Sequence, residues 1–99
     1  MDQLEIFKAL SNKTRLQILC WLKNPQQNFP DQVQYGYDHG VCVGQIQNKA
    51  GLTQSTISEY LSTLQRAGLI TATRAGQWTY YKRNEEAFAA LGHFFESEI

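Results

Sequence analysis

A surplus of positive charge is what this 99-residue chain most conspicuously lacks: nine Lys and Arg are matched by nine Asp and Glu, for a formal net charge of zero. That balance by itself argues weakly against a nucleic-acid partner, since binding phosphate normally needs a basic footprint. Cysteine is scarce as well. Cys20 and Cys42 sit in apolar contexts without the dense spacing of a disulfide scaffold, so reduced thiols are expected. No stretch approaches the ~18 to 20 consecutive apolar residues of a membrane span. The opening Met1-Asp2-Gln3-Leu4-Glu5 lacks the basic start of a secretory signal, so a cytoplasmic protein with no membrane partner is expected. Also missing are a nucleophile with a base and an orienting partner, a glycine loop for phosphate, and a convergent pair of acids. Enzymatic function is thereby disfavoured, and nothing calls for a cofactor.

The charges that are present are segregated. Residues 49 to 83 carry Lys49, Arg66, Arg74, Lys82 and Arg83 against Glu59 alone, whereas residues 84 to 99 carry four acids and no Lys or Arg. A local surplus of this kind can hold phosphates while the whole chain stays neutral, at the cost of modest non-specific affinity. Ninety-nine residues that are 42% hydrophobic suffice for a single domain over residues 1–99 but leave much surface unburied, and a dimer is the natural expectation.

Along the chain, Leu4, Phe7 and Ala9-Leu10 predict a short amphipathic helix. Ser11 or Asn12 then caps a second helix running to Leu22. Leu16, Leu19, Cys20 and the Lys23 stem share one face of it, widened by Ile18, Trp21 and Leu22, so burial on several sides is expected. Asn24-Pro25 ends it. Residues 24 to 40, rich in Asn, Gln, Pro, Asp and Gly and without periodicity, read as a long irregular insertion whose Phe29, Tyr35 and Tyr37 pack somewhere. Val41 to Val43 predict a short strand and Gly44 to Ala50 a short helix with Ile46 inward, stopped by Gly51.

Thr53 is a good N-cap for the next helix, Gln54 to Ala67. Ile57, Tyr60, Leu61 and Leu64 recur at helical spacing, leaving Ser55, Ser58, Glu59, Ser62 and Arg66 outward, and Gly68 terminates it. Residues 70–74 and 78–82 are rich in β-branched and aromatic side chains and flank Ala75-Gly76-Gln77, the mark of a hairpin. Glu85 to Ser97 forms a last helix carrying Phe88, Leu91, Phe94 and Phe95. The whole is a mainly α fold with a small β-hairpin: two helices joined by a glycine turn and followed by a glycine-tipped hairpin make a winged helix-turn-helix, which lays its second helix in the major groove. Gln54, Ser55, Thr56 and Ser58, short hydrogen-bonding groups gathered at that helix's N-terminus, suit reading base edges better than solvating a surface.

Three separated stretches, Ala9 to Leu19, Leu52 to Ile70 and Gly76 to Tyr81, resemble in order the arsenical-resistance repressor (ArsR) family of bacterial regulators. The resemblance implies a homodimer built from the first and last helices, bound to a partly palindromic operator in double-stranded DNA as a repressor until an effector weakens binding. It also implies base contacts by Gln54, Ser55 and Ser58, a base or backbone contact by Thr56, and phosphate or minor-groove contacts by Arg74 and Gln77. Ser62 and Arg66 complete the outward face. Glu59-Tyr60 stands where relatives often carry a basic or histidine pair. A carboxylate there is repelled by phosphate but accepts from a cytosine amino group, so Glu59 is either a specificity determinant or a tolerated neighbour of the groove.

Metal-sensing relatives carry two cysteines one residue apart where this chain has Cys42-Val43-Gly44, so the thiolate pair is broken and no metal site is assigned. His93, Glu96 and Glu98 on the last helix are too few ligands. Cys20 resembles the first reactive cysteine of persulfide-sensing relatives, whose second, on the last helix, is missing. Cys20 and Cys42 are candidates for a redox or effector role, or are small buried hydrophobes. The insertion could line an effector pocket, touch DNA or cover the domain. The rival to DNA binding is a winged-helix protein-docking module, whose mark would be an apolar outer face on residues 54–66.

Overall fold

The computed structural model describes residues 2–99, the side chains of residues 33–35 excepted. Six helices occur in the order α1 (Gln3–Leu10), α2 (Lys13–Lys23), α3 (Pro25–Asn28), α4 (Val43–Ala50), α5 (Gln54–Arg66) and α6 (Glu85–Ser97). A 3-10 helix spans Pro30–Tyr35, and strands β1 (Val41–Cys42), β2 (Ile70–Ala75) and β3 (Trp78–Arg83) form one antiparallel sheet in the order β1-β3-β2. The expected hairpin is therefore joined by a third strand. Val43, expected to end that strand, is the first residue of α4 instead.

Local chemistry sets the boundaries. Of the two candidate caps, Asn12 opens α2, its Oδ1 accepting the Arg15 N–H at 2.9 Å. Ser11 closes α1, donating its hydroxyl to the Phe7 carbonyl at 2.7 Å. Proline at the first position of α3 forfeits only an N–H that a helix start leaves unpaired, so Asn24-Pro25 ends one helix and begins another. The Asn28 amide then donates to the carbonyls of Trp21 and Asn24, adding to the backbone N–H bonds they accept from Asn24 and Asn28.

Ile6, Ile18, Leu19, Leu22, Val41, Ile46, Ile57, Leu61, Leu64, Leu69, Ile70 and Leu91 form a continuous core. The inward face of α2 differs from the expected one. Ile18, Leu19 and Leu22 are buried, while Leu16 is 48% exposed and Cys20 lies at the surface. An 11-residue helix with apolar side chains nearly all round has no unique stripe, and packing against β3, α1, α3 and α5 chooses among its faces.

The insertion is ordered rather than irregular. Phe29 is buried edge-on to Trp21, with ring centroids 6.3 Å apart. The Tyr37 hydroxyl donates to the Phe29 carbonyl. Tyr35, also expected to pack, has a side chain outside the described residues. Gln32 is the fastening: only 2% exposed, it donates Nε2 to the carbonyls of Gly36 and Gly40 at 3.0 and 2.8 Å, and its Oε1 accepts the Cys42 N–H at 2.8 Å. One neutral amide thus satisfies three backbone groups and pins the insertion to β1. No helical or strand period could reveal this, because the segment is held by isolated side chains, Phe29 and Gln32, rather than by a repeating face.

Gly40 makes the pairing of β1 with β3 possible. Its φ is +101°, and a Cβ there would lie 2.2 Å from the Tyr81 carbonyl oxygen, which only glycine avoids. Replacing Gln32 by Leu should cost about 2 to 4 kcal/mol, since it strands buried backbone groups without opening a large cavity. Urea denaturation of Gln32→Leu beside the exposed control Gln26→Ala checks this, and equal midpoints would contradict it.

Candidate nucleic-acid interface

The helix α5 is amphipathic in the sense its spacing predicts. Ile57, Leu61 and Leu64 are buried against the core, while Gln54, Ser55, Ser58, Glu59, Ser62, Gln65 and Arg66 are exposed. Thr53 caps it: Oγ1 accepts the Thr56 N–H at 3.3 Å, donates to Thr56 Oγ1 at 3.0 Å, and lies 3.3 Å from Ser55 Oγ. Three hydroxyls therefore surround the electropositive end of a 13-residue helix with no acid in its first turn. Thr56 is half-buried and shares its hydroxyl with the cap, so it presents less to solvent than its neighbours.

Both ends of α5 are fixed by glycine. Gly51 adopts φ +69° after α4 and donates its N–H to Gln47 and Asn48, holding the turn into Thr53. After α5, Gly68 has φ +79° and donates to Gln65, while Leu69 donates to Leu64, a Schellman closure that aims the chain into β2.

Tyr60, expected simply to face inward, is half-buried beneath the N-terminus of α2. The Arg15 guanidinium lies over its ring, 5.5 Å from the centroid, and Asn12 Nδ2 is 3.5 Å from its hydroxyl. Arg15 also donates to the carbonyls of Ala9 and Lys8 at 2.7 and 3.0 Å, so one side chain joins the C-terminus of α1 to α5.

The wing turns through two residues, Gly76-Gln77, between the paired Ala75 and Trp78, one residue tighter than expected. Gly76 has φ +63° and Gln77 does not have positive φ, the requirement of a II′-like turn. Arg74 and Gln77 are exposed at the tip, and Arg74 Nε donates to the Gly76 carbonyl at 3.2 Å. Trp78, 53% exposed, was given no role by its composition as a strand residue. The period-2 alternation that puts Trp78 and Tyr80 on one face of β3 was the available signal.

Much of the basic block is committed to structure. Arg83 makes a bidentate pair with Glu85 at 3.0 Å and stacks 3.7 Å from the Phe88 ring centroid. Lys49 lies over the rings of Trp21 and Phe29, and Lys82 Nζ is 3.4 Å from the Asp38 carbonyl oxygen. That leaves Arg66 and the wing's Arg74 as the cations of residues 49–83 nearest the exposed face of α5 and the tip.

Cys20 and Cys42 are free thiols, and the exposure of Cys20 contradicts the buried-hydrophobe alternative for it. Among the described residues no three His, Cys, Asp or Glu side chains converge to hold an ion, and no helix is long and apolar enough to cross a membrane. Burial raises the Tyr81 phenol above its ordinary value, so this half-buried strand residue stays neutral at physiological pH.

A helix-turn-helix ending in a recognition-type helix, followed by a glycine-tipped wing, defines a winged helix-turn-helix DNA-binding fold. The family model for the bacterial regulatory proteins of the arsR family matches residues 41–72, from β1 into β2. The chain is 54% identical over 102 aligned positions, covering all of both chains, to the uncharacterised HTH-type transcriptional regulator YbzH of Bacillus subtilis (strain 168). It is 32% identical to the transcriptional activator HlyU of Vibrio cholerae, covering 87% of this chain and 67% of that one. The solution structure of the homodimeric winged helix-turn-helix DNA-binding domain Mb0332 of Mycobacterium bovis, a possible ArsR-family regulator, superposes with a TM-score of 0.67 at 30% identity, covering 95% of this chain and 74% of that one. This chain belongs to the ArsR family. It is a DNA-binding transcriptional regulator and not an enzyme.

Removing the Thr53 hydroxyl deletes the cap and unties the hydroxyl group at the α5 N-terminus. Thr53→Ala should lower stability by about 1 kcal/mol, with Thr53→Ser recovering most of it, as read by thermal unfolding.

Proposed function

We propose that the chain is a homodimeric, sequence-specific repressor that pairs through α1 and α6 and lays α5 in the major groove of a partly palindromic operator. The observation that carries the reading is the outer face of α5: Gln54, Ser55, Ser58 and Ser62 are all exposed, short and polar. A docking module would instead expose apolar side chains there. Gln54, Ser55 and Ser58 contact base edges in this reading, Thr56 orients the first turn, and Arg66, Arg74 and Gln77 hold phosphate or the adjacent minor groove.

The dimer follows from unpartnered apolar surface on the terminal helices. Leu4 of α1 and Phe95 of α6 are 69% and 46% exposed, and Phe95 leans on Phe7 with ring centroids 5.9 Å apart. The homodimer of the Mycobacterium bovis domain supports the same arrangement. A two-fold pair of recognition helices demands half-sites about one helical turn apart, hence the palindrome. Repression by occluding a promoter needs only occupancy of that site, although the relative HlyU is named an activator. The sign is therefore read with a promoter-reporter fusion, where deletion of the regulator should raise expression.

Anisotropy titration against the DNA upstream of its own gene, at two salt concentrations, tests binding; no specific complex at low salt would favour the docking alternative. Placing charge on the apolar dimer face in Leu4→Glu/Phe95→Glu should give a monomer by sedimentation and weaken operator binding about a hundredfold or more. Arg74→Ala should weaken all DNA sequences alike and reduce the slope of log affinity against log salt by about two for a dimer. Glu59→Ala should keep or raise total affinity while relaxing preference among operator variants, and an unchanged preference would make Glu59 a mere neighbour of the groove.

A further inference from the structure

A cleft of about 360 Å³ opens where the insertion, α4 and the wing meet. Gln45 and Asn48, one turn apart on α4, supply two side-chain amides along one wall. Trp78 and Tyr80, alternate residues of β3, supply two aromatic groups along the other, and Cys42 lies between. The insertion closes one end through Gln32, whose own amide is already used in fastening the insertion to β1. No Asp, Glu, Lys, Arg or His is among the residues that line it.

Gly44 supplies an independent observation. It sits within α4, where glycine weakens a helix relative to alanine, yet neither backbone strain nor crowding calls for it. Its φ lies outside the left-handed region, and a Cβ built on it would meet nothing within 4 Å, although Gly44 lines this cleft. The absence of a side chain at Gly44 leaves this part of the cleft unfilled.

We propose that this cleft binds a neutral, planar heteroaromatic small molecule of one or two rings, seated on Trp78 and Tyr80 and hydrogen-bonded along its edge by Gln45 and Asn48. The chemistry selects the class. Two aromatic side chains favour a flat ring, two amides each offer a donor and an acceptor, and the lack of lining ions leaves no partner for a charged ligand. The volume of about 360 Å³ is ample for one or two rings. Because the cleft touches both α4, which leads through Gly51 into α5, and the first residue after the wing tip, an occupant braces the wing against the helix-turn-helix. This regulatory consequence rests on the DNA-binding reading above; the ligand site itself does not.

The test uses the full chain labelled with nitrogen-15, without DNA, titrated separately with nicotinamide, benzimidazole, quinazolin-4-one and hypoxanthine. At least one should give saturable shifts at the amides of Gly44, Gln45 and Asn48 and at the Trp78 indole N–H, with the Trp21 indole unmoved. Anionic nicotinate should bind about tenfold more weakly than nicotinamide, or not at all. Gly44→Leu fills the cleft from its floor and should abolish the shifts while leaving the rest of the spectrum folded. The surface variant Asn48→Ala, which removes one amide without adding bulk, should weaken binding. Absence of a saturable shift with all four compounds, or shifts that persist in Gly44→Leu, overturns the site. In a separate anisotropy titration the bound compound should change DNA affinity by about fivefold or more. Cleft binding with no such change overturns the regulatory half alone, and failure to bind DNA in any condition overturns the functional reading while leaving the ligand site to stand on the spectra.

Discussion

The pose of α5 relative to the wing depends on a strand of two residues. β3 is paired on both edges, with β2 along its length and with β1 through Val41↔Tyr81 and Cys42↔Tyr80. So short a strand contributes little by itself, and it persists because its neighbours hold it in place. Val41 is fully buried, the Gln32 amide takes the Cys42 N–H, and Gly40 lets the chain pass against the Tyr81 carbonyl. α4 begins at the very next residue and α5 follows after one glycine turn. The sheet that carries the wing and the helix that faces solvent are thus parts of one rigid path, and their separation is not left to a flexible linker.

The same economy explains how a chain of zero net charge belongs to a DNA-binding family. Of the cations that look like a phosphate-binding block in the sequence, Lys49 packs on the insertion's Phe29 and the Trp21 of α2 and Arg83 locks β3 to α6 through Glu85 and Phe88, while outside the block Arg15 joins α1 to Tyr60. An ammonium or guanidinium over an aromatic face retains packing as well as charge, which suits a small fold with limited core. Only Arg83 among them is neutralised by a carboxylate, Glu85, while Lys49 keeps its full charge. Arg66 and Arg74 are the cations nearest the exposed face of α5 and the wing tip, and with zero net charge overall affinity depends on fit to a particular groove more than on bulk attraction.

Elements with a repeating pattern or a required glycine were legible in the sequence. The bounds of α6, the start of α5, which ends at Arg66 one residue short of the expected Ala67, the Thr53 cap, the inward Ile57, Leu61 and Leu64, and the presence of the wing follow from spacing and turn chemistry that act over a few residues. What escaped depends on contacts remote in sequence. Nothing within α2 distinguishes Leu16 from Ile18 until α1, α3 and α5 surround it. α3 and the 3-10 helix are too short to show a period and exist because Pro25 starts one and Phe29 and Gln32 anchor the other. Pairing of β1 with β3 joins residues some forty positions apart, through a strand too brief to alternate. The outward residues of α5 were readable as exposed, but the sharing of the Thr56 hydroxyl with its cap and the clamp on Tyr60 were not.

Arg15 then gives the proposed dimer a mechanical meaning. If two copies pair through α1 and α6, the distance between their recognition helices is set by how rigidly α1 is tied to α5 within each copy. Arg15 takes two carbonyls at the end of α1 and covers the ring of Tyr60, while Asn12 reaches the Tyr60 hydroxyl from the cap of α2. Tyr60 belongs to α5, the helix assigned to DNA in the proposed reading, yet it points toward the joint between the first two helices. A shift of α1 at the dimer axis is therefore carried to α5 by a planar, multiply bonded group rather than by a loop. Half-site spacing and dimer geometry become one variable, and a change on either side of Arg15 is felt on the other.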